Sequence, residues 1–447
     1  MENDAARSLL DDLLARAKAL GADAADAMIV NSTALSHADR LGKTELLERS
    51  ESRDLGLRVF FGKRQAVVSS NDWKAATLDD LVERAVAMAK AVPQDPYCGL
   101  ADPDQLFRGA VLDLDIFDPG EPAAKTLIER ARTTEAAARD VSGVTNSEGA
   151  EASWSGTSVM IAASNGFSGG YAISRHGIGV SVIAGEGSGM ESDYEFSSVV
   201  HGDDLDDPAS VGRAAGMRAV KRLNPRKGPT VKVPVVYDPR VANGIIGHFA
   251  GAINGAAIAR GTSFLKDAMD TKVFTDGVTI IDDPHRLRGL RSKPFDAEGL
   301  ANDAMNLIED GVLTRWILDL RASRQLGLGS TGRATRGVSG PPSPSTTNLY
   351  MAPGRLTPAA LIADIESGFY VTGLMGFGID GLTGDYSRGA SGFWIEGGEI
   401  AYPISEMTIA GNLKDMFANL TPADDLEFRY GSNAPTLRID GMTVAGE

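Results

Sequence analysis

The stretch from Gly143 to Val200 constrains the fold more than any other part of the chain. It is rich in Gly, Ser and β-branched residues, as in TSVMIAASNGFSGGYAISRHGIGVSVIAGEG. β-Branched residues favour extended backbone, and Gly and Ser mark the turns between extended segments. The sequence therefore predicts consecutive antiparallel strands in this stretch.

Helices are predicted on both sides of these strands. The chain opens with apolar residues at helical spacing from Leu9 to Leu20, which indicates an amphipathic helix. The segment from Leu55 to Ser70 contains a Gly-Lys turn and predicts a β-hairpin. Helix-start and helix-stop signals predict three further helices, over residues 77–91, 122–139 and 208–223.

A Pro/Gly/basic break, NPRKGPTVKVP, follows the last of these helices. Such breaks are typical of domain boundaries, and a chain of 447 residues is too long for one ordinary core. We therefore predict two domains, residues 1–228 and 229–447. The expected fold class is α+β. The first domain would combine helices with antiparallel strands, and the second would be mainly antiparallel β structure around a Gly-rich helix.

Charge and cysteine usage narrow the classes of function. The formal net charge of −16 disfavours binding to nucleic acid or to an anionic membrane surface. Cys98 is the only cysteine, so the chain can form no internal disulfide and no cysteine-based zinc site. The acidic, amphipathic start is unlike a signal peptide, and no apolar run is long enough for a transmembrane helix. We therefore expect a cytoplasmic protein.

The Gly-rich helix of the second domain is predicted within VANGIIGHFAGAINGAAIARGTSF. Gly247, Gly251 and Gly255 are spaced four apart and would share one helix face. Glycine destabilises a helix interior by about 1 kcal/mol relative to alanine, so another backbone or a ligand is expected near that face. Of these explanations we favour tight helix packing within the chain, because faces of small residues are packing devices more often than sites. His248 lies in the same segment, and a lone histidine is more often structural than a metal ligand.

Three later stretches complete a recognisable pattern: DDPHRLRGLRSKPFDAEG, IEDGVLTRWILDLRASRQLGLGSTG and MGFGIDGLTGDYSRGASGFWIEGGEIAYPISEMTIAGNLKDMF. Together with the Gly-rich helix they resemble the TldD/PmbA family, once called modulators of DNA gyrase, and its PmbA/TldE branch in particular. The resemblance covers most of the chain from about Val233 onward. The first half matches more loosely, through the opening helix, GLRVFFGKR and ASNGF.

The resemblance implies that this chain lacks the family's metal site. Catalytic, TldD-like members carry a His-Glu-x-x-x-His motif on the corresponding helix, and a cysteine near the C-terminus as a further ligand. Here Gly247, His248 and Ala252 stand at the three motif positions, in Gly-His-Phe-Ala-Gly-Ala, and no cysteine follows Cys98. The resemblance therefore implies no catalytic residue, no metal ligand and no cofactor in this chain. The metal, zinc, is expected in a partner subunit.

The resemblance also implies a function. We expect a non-catalytic PmbA/TldE-like subunit that forms a heterodimer with a TldD-like catalytic subunit, in a cytoplasmic metalloprotease complex that degrades or processes unstructured peptides. Two alternatives stay open. The chain is a metallopeptidase in its own right, using His248 with distant carboxylates, or it is a non-enzymatic regulator or adaptor that forms a homodimer when alone.

A hairpin-rich element is predicted over residues 375–412, with TGDYSRGASG as a turn. Asp385, Tyr386, Ser387 and Arg388 lie in this turn, and we expect them in a peptide groove or a subunit interface. An exposed strand edge there would hold an extended peptide by adding a strand. The alternative is a satisfied turn, in which Asp385 accepts hydrogen bonds from nearby backbone N–H groups and Arg388 is its ion partner.

Asp282, Asp283 and His285 superficially resemble a cluster of ligands for a hard metal ion. Pro284 lies among them and favours a turn instead. Metal sites need three or more convergent ligands, and no other histidine is close in sequence. We therefore predict a turn with solvated charges.

The Gly-rich segment 327–348 lacks the lysine pattern of a phosphate-binding loop. Its Pro, Ser and Thr content instead predicts a mobile loop, linker or lid, whose Arg333 and Arg336 would meet an acidic partner or peptide. Cys98 has no histidine nearby in sequence, so we expect no cysteine nucleophile.

Overall fold

The structure is a computed structural model that describes residues 3–446. Its helices are α1 (Asn3–Ala19), α2 (Ala75–Ala91), α3 (Ala124–Arg139), α4 (Pro208–Lys221), α5 (Pro239–Ala252), α6 (Gly255–Ala259), α7 (Leu320–Leu326), α8 (Pro358–Ile362) and α9 (Leu413–Ala418). Its strands are β1 (Ala24–Arg40), β2 (Lys43–Phe61), β3 (Arg64–Ser70), β4 (Val144–Ala163), β5 (Ser168–Ala184), β6 (Glu191–Val199), β7 (Val231–Tyr237), β8 (Ile280–Asp283), β9 (Met305–Glu309), β10 (Val312–Leu313), β11 (Ala334–Thr335), β12 (Ser343–Pro344), β13 (Asn348–Met351), β14 (Ser367–Ile379), β15 (Asp385–Glu396), β16 (Glu399–Asn412), β17 (Leu420–Pro422), β18 (Ser432–Asn433) and β19 (Leu437–Ala445).

The first sheet contains antiparallel strands in the order β3-β2-β1-β4-β5-β6. β4, β5 and β6 lie within the stretch from Gly143 to Val200, so the prediction of consecutive antiparallel strands there is confirmed. The hairpin predicted from Leu55 to Ser70 is also confirmed, with its turn at Gly62. Gly62 has φ of 58°, a left-handed conformation that glycine adopts without steric cost.

Four helices cover one face of this sheet. α1 and α2 pack on β1, β2 and β3, with Leu13, Leu57 and Leu81 in the shared core. α3 and α4 pack on the other end of the sheet, where Leu127 and Val180 are buried. The apolar stripe of each amphipathic helix faces the sheet, as helical periodicity requires. All four predicted helices are confirmed, although α2 and α3 begin at Ala75 and Ala124 rather than at residues 77 and 122.

The opposite face of the first sheet packs against the second half of the chain. Met28 and Ile161 form an apolar cluster there with Phe295. The backbone of Val338 lies directly on Gly56, where any Cβ atom would overlap the carbonyl group of Val338. Glycine at position 56 is therefore required by this close contact.

The second half forms a closed barrel. Its strands follow the order β16-β15-β14-β7-β19, and β16 also pairs with β19, which closes the sheet. α5 buries Ile245, Ile246 and Phe249 in the same core as the barrel residues Phe369 and Ile439. A second sheet, β10-β9-β8-β13-β18, completes this part. The predicted fold class, α+β with mainly antiparallel strands around a Gly-rich helix, is confirmed.

The Pro/Gly/basic break separates α4 from β7, which begins at Val231. The division into domains 1–228 and 229–447 stays a prediction. Among the helices that the structure describes, none has both the length and the apolar composition to cross a membrane.

Candidate functional site

The helix α5 has one buried face and one open face. Asp238 caps its start by accepting a hydrogen bond from the backbone N–H of Arg240 at 3.0 Å, and Pro239 occupies the first turn. Ile245 and Phe249 fix the buried face in the core. The remaining face, which carries Gly247, points away from the core.

The glycines of the open face have nothing packed against them. A Cβ atom added at Gly244, Gly247 or Gly251 would meet no other atom within 4 Å, and Gly247 and Gly251 are exposed. Tight packing within the chain therefore does not explain these glycines. They leave a strip of helix backbone uncovered.

The prediction that Gly247, Gly251 and Gly255 share one helix face is wrong for Gly255. α5 ends at Ala252, and Gly255 begins the short helix α6, where Asn254 is the capping residue. A Cβ atom at Gly255 would lie 2.7 Å from the carbonyl oxygen of Ile317. Of the three glycines, Gly255 is therefore the one that packing within the chain explains.

His248 lies half-buried beside the open face. Its ring centroid is 6.0 Å from that of Tyr386, and Tyr386 is almost fully buried. Burial lowers the pKa of His248, and the nearby Arg388 guanidinium lowers it further. Both effects favour the neutral form of the imidazole, and the charged group that acts on His248 is a cation rather than a carboxylate.

The four residues from Asp385 to Arg388 lie in strand β15, so their prediction as a turn is wrong. Asp385 accepts hydrogen bonds from Thr383 at 2.8 Å and from Asn412 at 3.0 Å. The Nε atom of Arg388 donates to the carbonyl oxygen of Met375 at 3.1 Å. The alternative interpretation, a satisfied turn with an ion pair between Asp385 and Arg388, is also wrong, because the ion pairs formed by the described residues do not include this one. Residues 385–388 form part of a strand because β14 pairs with them on one side and β16 on the other.

The expected free strand edge at this position is also absent. Ser387 pairs with Gly378 of β14 on one side and with Ala410 of β16 on the other. A closed barrel has no unpaired edge, so strand addition at β15 is excluded by geometry. The assignment of Asp385, Tyr386, Ser387 and Arg388 to a peptide groove or interface stays a prediction.

Exposed apolar side chains lie instead on the hairpin of β14 and β15, which meets α5 where Tyr386 packs against His248. Phe377 is 97% exposed and Met375 is 64% exposed, at the end of β14 that pairs with residues 386–389. The Arg388 guanidinium lies 5.9 Å from the Phe377 ring centroid. We refer to six residues together as the glycine–hairpin surface: Gly247, His248, Gly251, Met375, Phe377 and Arg388.

Asp282 is not the solvated charge that the sequence predicts. It lies in β8, fully buried, and forms an ion pair with Arg333, which is also fully buried. Its second oxygen accepts from the Thr347 backbone N–H at 2.7 Å. The turn at Pro284 is present, and His285 shares a hydrogen bond of 2.9 Å with Asn302 rather than contributing to a metal site.

The segment 327–348 does not present its arginines to an acidic partner or peptide, so that prediction is likewise wrong, whereas its mobility stays a prediction. Its two arginines are buried and bind acidic groups of the same chain, Arg333 to Asp282 and Arg336 to Asp26 of β1. Sequence reasoning missed this arrangement entirely. One signal was available, because Asp26 interrupts the otherwise apolar residues 24–30 of β1, and a buried carboxylate requires a partner.

Comparison with known proteins gives matches along nearly the whole chain. Models of the PmbA/TldA metallopeptidase domain 1, central domain and C-terminal domain match residues 25–89, 117–223 and 230–446. The chain is similar to Metalloprotease PmbA of Escherichia coli, with 36% identity over 449 residues that cover 99% of this chain and 98% of the relative. The chain belongs to the PmbA/TldD family.

Solved structures of this family share the fold. A crystal structure of a modulator of DNA gyrase from Bacteroides thetaiotaomicron has a TM-score of 0.92 and 25% identity, with 100% of both chains covered. The crystal structure of TldE from Thermococcus kodakarensis has a TM-score of 0.87 and 18% identity, and covers 98% of this chain and 100% of its own. A more distant relative, Metalloprotease TldD homolog from Buchnera aphidicola subsp. Schizaphis graminum, is 26% identical over 51% of each chain.

The PmbA/TldD motif positions of this chain do not fit a metal ion. Gly247 and Ala252 have no ligand atoms in their side chains, which leaves His248 as the only residue of the motif positions that could bind a metal ion. Protein metal sites of the expected zinc type need at least three side-chain ligands. Within residues 3–446, no three His, Cys, Asp or Glu side chains form a group that could hold a metal ion.

Proposed function

We propose that this chain is the non-catalytic, TldE-like subunit of a cytoplasmic TldD/TldE-type metalloprotease complex that degrades or processes unstructured peptides. A TldD-like partner would supply the metal, zinc, and the hydrolytic chemistry. One observation carries the proposal. The three motif positions hold Gly247, His248 and Ala252, so only one of the three has a side chain that could bind a metal ion.

The glycine–hairpin surface supports a role in assembly or peptide handling. Phe377 is almost completely exposed, although burying such a side chain stabilises a protein by about 1.5–3 kcal/mol. The helix backbone at Gly247 and Gly251 is uncovered in the chain alone, which permits close approach by another backbone. Aromatic side chains are often buried at the centre of protein interfaces. An uncovered stretch of helix backbone can be buried there in the same way. We therefore assign this surface to contact with the TldD-like partner or with the peptide held between the subunits.

The relatives' names favour a second candidate function. Several are called metalloproteases, including Metalloprotease PmbA, which shares 36% identity with this chain. Under this candidate the purified chain, alone or as a homodimer, would bind metal and cleave peptides. The absence of ligand atoms at Gly247 and Ala252 opposes it.

Reconstitution with the TldD-like protein from the same cell tests the proposal. The mixture should form a complex by light scattering and should cleave unfolded peptides. Phe377→Ser should weaken complex formation or raise the KM for peptides. Leu287→Ser is the matched control, because Leu287 is also strongly exposed, at 68%, but lies outside the glycine–hairpin surface. If the two substitutions had equal effects on complex formation and KM, or if neither had an effect, the assignment of this surface to partner or peptide contact would be wrong.

A further inference from the structure

A cavity of about 480 Å³ lies between the first sheet with its helices and the barrel. It shares no lining residue with the glycine–hairpin surface. One wall comes from α4 and β6, the other from β14, β15 and β16, and the first turn of α5 closes one side. Its volume lies within the range of about 300–1,000 Å³ that small-molecule sites occupy.

The barrel wall of this cavity is apolar. Tyr370 pairs with Phe393 across β14 and β15, and Phe393 pairs with Pro403 across β15 and β16. Directly opposed residues of neighbouring strands point to the same face of a sheet, so the three side chains form one row. Ile400 also lines the cavity and is 46% exposed. This wall can hold an apolar group.

The facing wall carries charged side chains, and almost all of them form ion pairs or hydrogen bonds within the chain. Arg240 donates to Asp193 at 2.8 Å, and the Tyr370 hydroxyl donates to Asp238 at 3.1 Å. Arg218 is bound by Glu195. These pairs leave no free carboxylate to repel an anion.

Lys221 is the exception among the charged lining residues. It follows Arg218 by three positions on α4, so both point toward the same side of the helix. The ion pairs formed by the described residues include none with Lys221. Its ammonium group is therefore a cation at the cavity without a carboxylate of its own.

A hydroxyl group without a hydrogen-bond partner also lines the cavity. Thr372 lies at a bulge in β14, between Val371 and Gly373, and lines the cavity together with Tyr370. Its Oγ1 atom is shielded from bulk solvent and makes no hydrogen bond with any group in the described part of the chain. Shielded polar groups are usually paired, so a rotation of the Thr372 side chain that turns this hydroxyl into the cavity would let a bound molecule satisfy it.

We propose that this cavity binds a carboxylate attached to an apolar or aromatic group. The Lys221 ammonium and the Thr372 hydroxyl would bind the carboxylate, and Phe393, Ile400 and Pro403 would contact the apolar part. A free aryl acid and the C-terminal residue of a peptide share this chemistry. The proposal goes beyond the subunit role, because it assigns a ligand to a cavity apart from the glycine–hairpin surface.

Calorimetric titration of the full chain tests the proposal with three probes. N-acetyl-L-phenylalanine supplies the acid, N-acetyl-L-phenylalaninamide is its neutral match, and a tetrapeptide ending in a free phenylalanine carboxylate represents a peptide C-terminus. The acid should bind about tenfold more tightly than the amide, because its carboxylate accepts a charge-assisted hydrogen bond. Tighter binding of the tetrapeptide than of the acid identifies a peptide end as the ligand, and equal binding identifies a small acid.

Substitutions connect this preference to the named side chains. Lys221→Met should abolish the preference for acid over amide, and Thr372→Val should weaken acid binding about threefold or more. Lys266→Met is the control, because Lys266 is exposed and does not line the cavity. Equal affinity for acid and amide, an unchanged preference in Lys221→Met, or no saturable binding below about 1 mM would overturn the proposal.

Discussion

Arg336 forms a buried ion pair with Asp26, which lies in β1 of the first sheet. Arg58 donates to the same carboxylate through Nε at 2.9 Å. Burial disfavours the charged carboxylate, but the two guanidinium groups outweigh it and hold the pKa of Asp26 below its usual value. This contact joins the loop before β13 to the sheet at the start of the chain, and it fixes the two halves of the fold against each other.

Asp26→Asn should destabilise the protein by about 3–5 kcal/mol, because it leaves two buried guanidinium groups without a counter-charge. Chemical denaturation at pH 7 measures this change. Asp102→Asn, at an exposed position, should alter the free energy of unfolding by no more than about 0.5 kcal/mol. A loss below about 1 kcal/mol for Asp26→Asn would contradict the ion pair's structural role.

Asp26 also makes the free energy of unfolding depend on pH in the acid range. An aspartate in the unfolded chain has a pKa of about 3.9, and the folded-state pKa is lower. The stabilising contribution of the carboxylate is therefore complete above about pH 4 and is lost as the pH falls through the folded-state pKa. In denaturation experiments below pH 4, the difference between wild type and Asp26→Asn should shrink. A difference that does not change with pH would contradict the low pKa.

Glu298 should have the opposite pH dependence. Burial and the neighbouring Asp296 raise the pKa of Glu298 to about 8, whereas a glutamate in the unfolded chain titrates at about 4.3. Between these values the unfolded state releases a proton that the folded state keeps, so the native protein loses stability as the pH rises.

In the wild-type chain the Leu320 backbone N–H donates to Glu298 at 2.8 Å. Glu298→Gln removes the proton linkage but keeps an oxygen that can accept this hydrogen bond. The stability of the variant relative to wild type should therefore increase between about pH 5 and pH 8. The expected gain is at least about 1.4 kcal/mol, the equivalent of one pKa unit. Thermal denaturation across this range measures it, and parallel curves for the two proteins would show that Glu298 titrates normally.

Gly247 and Gly255 should respond oppositely to alanine. Gly247 has open space around it, so Gly247→Ala should stabilise the isolated chain by about 0.5–1 kcal/mol through helix propensity. Gly255→Ala should destabilise it by about 1–3 kcal/mol, since the new methyl group would lie 2.7 Å from the Ile317 carbonyl oxygen. Denaturant unfolding of both variants checks this. In the reconstituted complex, Gly247→Ala should weaken assembly or peptide binding despite stabilising the chain, and an unweakened complex would mean that no partner backbone lies at Gly247.

The elements predicted correctly from sequence are those with strong local signals. The hairpin around Gly62 combines β-branched residues with a Gly-Lys turn, and α4 has an N-terminal proline after an aspartate cap. Local chemistry determines such elements before any tertiary contact forms. The end of α5 at Ala252 was missed, although Asn254 is a typical cap for the next helix.

The errors concern residues whose partners lie far away in sequence. Arg333 pairs with Asp282, 51 positions earlier, and Arg336 pairs with Asp26, 310 positions earlier. The Gly, Pro and Ser content around these arginines predicts side chains that are free to meet an acidic partner, because composition contains no information about distant counter-charges. Residues 385–388 lack a strand-like apolar pattern, and only pairing on both sides makes them a strand.

The most direct test of the central claim is metal content and peptidase activity, measured for the purified chain alone and again after mixing with the TldD-like protein from the same cell. We expect the chain alone to contain less than stoichiometric metal and to leave unfolded peptides intact, whereas the mixture should cleave them and lose activity on chelation. Stoichiometric metal in the chain alone, with peptide cleavage abolished by chelation and by His248→Ala, would contradict it.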